Sequence, residues 1–160
     1  MNGGREGLGS IRYGGRWAVA CLIATVLFIY LTDEFTIKPE RISGNGNPGI
    51  VPLFLGFVSA LGFGAVYAVW LSYRPWSRGF FLGLLIVSIL AFYVAVWMEY
   101  RFASDLFERF GGIGDGETNI DYRSIQLSQF TNTIYLNAYT FTGFAALVTA
   151  AVSAVRLSRK

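Results

Sequence analysis

Few residues in this chain have the type and spacing to do chemistry. Asp115, Glu117, Asn119 and Asp121 place oxygen-bearing side chains at alternate positions. A calcium loop does the same, because the cation gathers six to eight oxygens around a tight turn. The match stops there. The glycine is out of place, and Ser124 and Gln126 stand where the later ligands belong, with no bidentate Glu. A solvated acidic turn is the reading this stretch supports. The glycines of GGIGDG resemble a phosphate loop only in composition, since no strand precedes them.

Absent residue types exclude more. The chain has no histidine and a single cysteine, Cys21. It therefore supplies no bis-histidine haem ligation, no zinc or copper histidine cluster and no Ser-His-Asp relay. Cys21 sits in the apolar run AVACLIATV, where a small buried thiol is the expectation and a reactive one is not. No catalytic, cofactor or metal residue is assigned, and the chain is expected not to be an enzyme. A weaker alternative is an enzyme acting on lipid at a membrane interface through Glu99 and Asp105.

These residues are carried by long apolar runs. Of 160 residues, 54% are hydrophobic, 17% aromatic and only 14% charged, well below the roughly 25% charge of soluble domains. The stretch 50–73 has no charge and repeats a small residue every fourth position: Gly56, Ala60, Gly64 and Ala68. At ~1.5 Å per residue it reaches ~36 Å, enough to cross a bilayer core. In lipid, helices associate by close backbone approach along such small residues. Further spans are expected at about 17–32, 79–98 and 134–155. The third carries a second ridge, Gly79, Gly83, Ala91 and Ala95, and the reading has it pack on the ridge of the second. The expected fold is all-α, an integral membrane four-helix bundle with both termini cytosolic and short helical segments in an outer loop.

Between the spans lie a glycine-rich basic tail (1–16), outer loops at 33–49 and 99–133, a short link at 74–78 and a basic tail (157–160). The first span lacks small residues before Asp33, which favours an uncleaved signal anchor over a cleaved signal peptide. The link RPWSR is too short to leave the surface, so the second and third spans form an antiparallel hairpin. EYRFASDLFERF keeps helical spacing, so the third helix is expected to run on past Met98. A further helical stretch is expected at 122–129.

Charge sets the orientation. Arg5, Arg12, Arg16, Arg74, Arg78, Arg156, Arg159 and Lys160 face one acid, Glu6, on the tails and link. The two loops reverse this, with five basic residues against nine acidic. The positive-inside rule then puts both tails and the link in the cytosol. The net charge of +3 is explained by this asymmetry, and no basic face for nucleic acid is present.

No charged residue falls inside the four expected spans, and Glu99 lies just past the third with Arg101 as its expected partner. Asn137 and Thr140 could line a small polar cavity with Ser88 or Tyr93; hydrogen-bonded helix packing is the plainer alternative. The outer segment, with Phe102, Asp105, Phe107, Phe110, Asp115, Glu117, Asp121 and Tyr122, mixes acids with aromatics. It suits a surface that docks on a partner, because aromatics dominate contact energy. The functional expectation is a non-catalytic structural or accessory subunit of a larger membrane assembly, in contact with the lipid bilayer and other membrane subunits. A plasma-membrane location is expected. The alternative is a small channel or transporter formed by self-association.

Overall fold

The computed structural model describes residues 3–38, 46–111 and 127–159, with side chains from Gly14 in the first helix and up to Arg109 in the third. These residues form helices and no strands: α1 (Gly3–Phe35), α2 (Ile50–Ser72), α3 (Arg78–Gly111), the single turn α4 (Asn132–Tyr135) and α5 (Ala138–Ser158). Four of them are long and apolar enough to cross a membrane. The expected helical stretch at 122–129 lies outside the described residues up to 126, and 127–131 forms a turn instead.

The element ends carry physical reasons. α1 begins at Gly3, within the segment whose composition predicts a flexible tail. Once the apolar run has nucleated a helix, each added residue contributes one hydrogen bond, so the helix propagates into weak sequence. α3 has 34 residues, ~51 Å, and so outruns a hydrocarbon core. The fourth apolar span reaches back to Asn132, and its long helix, α5, starts at Ala138. Asn137 caps it, its side chain accepting from Tyr139 N and Thr140 N while Thr140 Oγ1 accepts from Asn137 N. That reciprocal pair ends one helix direction and starts another.

α1 packs mainly on α2, α3 mainly on α5, and α5 joins the two pairs by lying against α2. The lateral order is therefore α1, α2, α5, α3. Each outer helix buries a seam of residues seven apart: Ala18, Thr25 and Thr32 on α1, and Phe81, Ser88 and Ala95 on α3. Seven-residue spacing holds one face toward a neighbouring helix over several turns. Within the first pair, Thr25 Oγ1 donates to the Cys21 carbonyl (2.8 Å) and lies 3.2 Å from Ser59 Oγ.

The α2 ridge is covered by α1 and α5. Gly56, Ala60 and Gly64 are buried and Ala68 is half-buried. A Cβ on Gly56 would collide with Leu136 and press on Phe28; one on Gly64 would reach Phe144 Cζ at 2.5 Å. Leu136 and Phe144 are thus knobs from the fourth span seated where α2 has no side chain. The same register continues downward, from Tyr67 OH with Thr149 (3.3 Å) to Arg74 O with Arg156 (3.3 Å).

The expected packing of the second-span ridge on the third-span ridge does not occur, because α5 stands between them. Gly79 and Gly83 are exposed, and a Cβ on Gly83 would meet nothing within 4 Å. Ala91 is half-buried, and only Ala95 is buried, against Gly143 of α5. At ~100° per residue, sixteen residues put Gly79 about 160° around the helix from Ala95. A four-residue spacing drifts off its face over that length, whereas the seam at Phe81, Ser88 and Ala95 does not.

Gly64→Leu is expected to destabilise the fold by about 1–3 kcal/mol or more, since Phe144 already fills the space. Gly83→Leu should stay within about 0.5 kcal/mol. Unfolding midpoints in detergent check this, and equal effects would remove the α2–α5 seam as the core contact.

Candidate functional site

Polar side chains concentrate at one end of the bundle, where α1 and the membrane-crossing part of α3 finish and α2 and α5 begin. The turn α4 closes this end and touches α1, α2 and α3. Its first residue, Asn132, has 0% exposure. Its amide pairs reciprocally with Asn47: Asn132 Nδ2 donates to Asn47 Oδ1 (2.7 Å) and Asn47 Nδ2 donates to Asn132 Oδ1 (3.1 Å). Gly49 leaves room for this pair, as a Cβ there would strike the Asn132 amide. A backbone bond, Ile37 N to Gln129 O (3.0 Å), ties the segment after α1 to the turn before α4. Two loops far apart in sequence are thereby locked over the helix ends.

Beside this lock lies a half-buried carboxylate. Asn137 Nδ2 donates to Glu99 Oε2 (2.6 Å) and lies 2.8 Å from the Thr133 carbonyl. Glu99 Oε1 is buried with no hydrogen-bond partner. The carboxylate faces the first turn of α5, where backbone N–H groups and the helix dipole favour negative charge. A cavity of about 260 Å³ adjoins it, lined by Phe92, Ala95, Val96, Tyr139, Gly143 and Phe144 together with Glu99 and Thr140. A carboxylate with one free oxygen in an aromatic-walled cavity can accept a proton or a hydrogen-bond donor. Among the described residues no second acid lines this cavity.

This arrangement reassigns several residues. Glu99 pairs with Asn137, whereas Arg101 lies over the Trp97 ring at 5.5 Å. Of the four residues considered for a polar cavity, Asn137 and Thr140 come together. Ser88 turns its hydroxyl onto the carbonyls of Leu84 (2.6 Å) and Leu85 (3.1 Å) of its own helix. Tyr93 is 71% exposed and faces outward. In the outer segment, Phe102 is half-buried with its ring 6.2 Å from Tyr139, Phe107 is half-buried and Asp105 is exposed. The Phe110 side chain and Asp115, Glu117, Asp121 and Tyr122 lie outside the described residues.

Among the described residues no group of three or more Cys, Asp or Glu side chains could hold a metal ion. With four helices of sufficient length and apolarity, the chain is a multi-pass membrane protein. No family model, curated protein or solved structure matches it.

Two features of this end escaped the sequence reading. Asn137 and Thr140, three residues apart at the start of an apolar run, carry a helix-start signal that could have placed the cap and turned Asn137 toward its neighbours. Asn47 and Asn132 carry no local signal, as each looks like an ordinary turn residue. Removing one partner of a buried amide pair leaves the other unsatisfied, at about 1–3 kcal/mol. Asn47→Ala and Asn132→Ala should therefore each lower the unfolding midpoint, and the double variant should lose less than the sum. Strict additivity in that cycle would show that the two amides do not act as a pair.

Proposed function

We propose that this chain is a non-catalytic subunit of a larger membrane assembly, with both termini and the 74–78 link on the cytosolic side. The observation that carries this reading is how the hydroxyls inside the spans are used. Thr25, Ser72, Ser88, Thr142 and Thr149 each donate to a carbonyl of their own helix three or four residues back. A hydroxyl whose proton is committed to its own backbone keeps only acceptor lone pairs for a solute; among the described residues Ser153 Oγ is the exception, buried without a partner. A third or less of each span is buried within the chain, which leaves broad faces of α1 and α3 for lipid and for neighbouring subunits. The acid-rich and arginine-rich ends support the orientation, and the plasma membrane is the location proposed.

A second reading rests on Glu99. Its unpartnered oxygen, set near the end of the apolar run, is the kind of group that handles protons or cations in membrane proteins. It would favour a homo-oligomeric channel or transporter in which a second copy completes the path.

Native mass in mild detergent separates the two. Stable association with other polypeptides supports the subunit reading. A homo-oligomer whose solute flux is lost in Glu99→Gln supports the channel and overturns the first. For orientation, after Cys21→Ala, a cysteine at exposed Gly46 should be labelled from outside intact cells and one at exposed Ser77 should not. Labelling of Ser77 from outside would reverse the topology.

A further inference from the structure

The opposite end of the bundle holds arginines and, among the described side chains, no acid. α2 and α5 both end there and α3 begins there. Arg74 lays its guanidinium over the Trp70 ring, 4.3 Å from the centroid, and 6.0 Å from that of Trp76. Trp70 and Trp76 meet edge to face at 6.0 Å, and Trp76 packs on Phe80 at 4.4 Å. Arg156 lies over Phe81 at 5.2 Å and donates to the Arg74 carbonyl. Arg78 donates to the Leu157 carbonyl (3.0 Å). These contacts use one face or one N–H of each guanidinium. Arg74 Nε is buried and has no partner.

The described acidic side chains, Asp33, Glu34, Glu99, Asp105 and Glu108, all belong to the other ends of α1 and α3. The one ion pair among the described residues, Lys38 with Asp33, is there too. Planar guanidiniums held on aromatic rings with free N–H groups are suited to bidentate contact with phosphate oxygens.

An apolar groove leads away from the same tryptophan. α1 and α5 flank α2 without closing over it, leaving a space of about 310 Å³ lined by Ala18, Val19, Phe63, Tyr67, Trp70 and Ala145 among others. Gly15 also borders it, and a Cβ there would press on the Trp70 indole at 2.8 Å. Trp70 is thus shared: it lines the groove and carries Arg74 on its ring. An apolar slot whose Trp70 wall carries a guanidinium, with no acid beside it among the described side chains, matches a molecule with a hydrocarbon tail and an anionic head. We propose that this groove binds one anionic phospholipid, its acyl chain along α2 between α1 and α5 and its phosphate on Arg74, with Arg156 and Arg78 alongside. Basic pockets between spans bind anionic headgroups by this chemistry. The proposal is independent of the subunit reading, since it concerns a site within one chain.

The test uses the whole protein, purified in a neutral detergent and titrated with phosphatidylglycerol or phosphatidylcholine. Native mass reads how much lipid stays bound. Phosphatidylglycerol should be retained roughly tenfold over phosphatidylcholine, whose phosphate is offset by its own choline cation; tenfold corresponds to about 1.4 kcal/mol. Arg74→Gln should remove that preference, and Arg101→Gln at the far end should keep it. Arg74→Lys preserves charge without the fork and should retain an intermediate preference, measured on the monodisperse folded fraction. Val19→Trp, at an exposed groove position, should lower retention of phosphatidylglycerol without changing the arginines. Equal retention of both lipids, or equal behaviour of Arg74→Gln and Arg101→Gln, overturns the proposal. So does displacement of phosphatidylglycerol by millimolar inorganic phosphate together with insensitivity to Val19→Trp, which would mark a free-phosphate site. A dimer mass that Val19→Trp abolishes without any lipid dependence would assign the groove to a second copy.

Discussion

The structure depends on one steric arrangement: α2 lacks side chains where the fourth span has bulky ones. Leu136 and Phe144 sit over Gly56 and Gly64, and this contact joins two helix pairs that otherwise have little to do with each other. In lipid, apolar surface gains nothing by leaving one hydrocarbon environment for another, so shape complementarity and dispersion must hold helices together. A large knob over a glycine brings the most atoms into range at the shortest separation. The α1–α2 and α3–α5 pairs use the other available device, a seam of small and hydroxylated residues every seventh position.

At the ends, where water and headgroups begin, polar interactions take over, and they differ between the two ends. One end is closed by amides and a carboxylate, with Asn47 bonded to Asn132 and Asn137 to Glu99. The amides there satisfy each other and one oxygen of Glu99, and they fix loops over the helix termini. The other end is closed by guanidiniums on aromatic rings and on the carbonyls that α5 and the link leave unpaired. Arginine suits that role because helix C-termini expose acceptors and carry partial negative charge. The two ends therefore have different chemistry for reasons that follow from which helix termini each contains.

Much of the architecture was legible because a membrane span is a signal of length and composition. The runs around 17–32, 50–73, 79–98 and 134–155 could be found from their apolarity, and the small residues of α2 from their spacing. What could not be read was which helix would meet them. A row of small residues states that a helix can be approached closely, without naming the neighbour. Chain connectivity suggested α3 for that place, since a short link makes the second and third spans adjacent in sequence. The knobs that fill the α2 ridge, Leu136 and Phe144, look like any other apolar residues of their run. Glu99 was assigned to Arg101 for the same kind of reason, a nearby opposite charge in sequence, whereas its hydrogen-bond partner comes from another helix. The capping pair Asn137 and Thr140 carries a helix-start signal that the sequence reading passed over, and it marks where the fourth span bends away from α4.

The lateral order α1, α2, α5, α3 has a consequence for biogenesis. α1 and α2 can zip together as soon as both have left the ribosome, since Thr25 meets Ser59 and Gly62 lies against Cys21. α3 has no such partner at that stage. Its seam of Phe81, Ser88 and Ala95 answers to a helix that is translated after the outer segment, and that helix must then wedge between α2 and α3. In order of synthesis, the helix that answers the α3 seam and joins it to α2 is therefore the last one made.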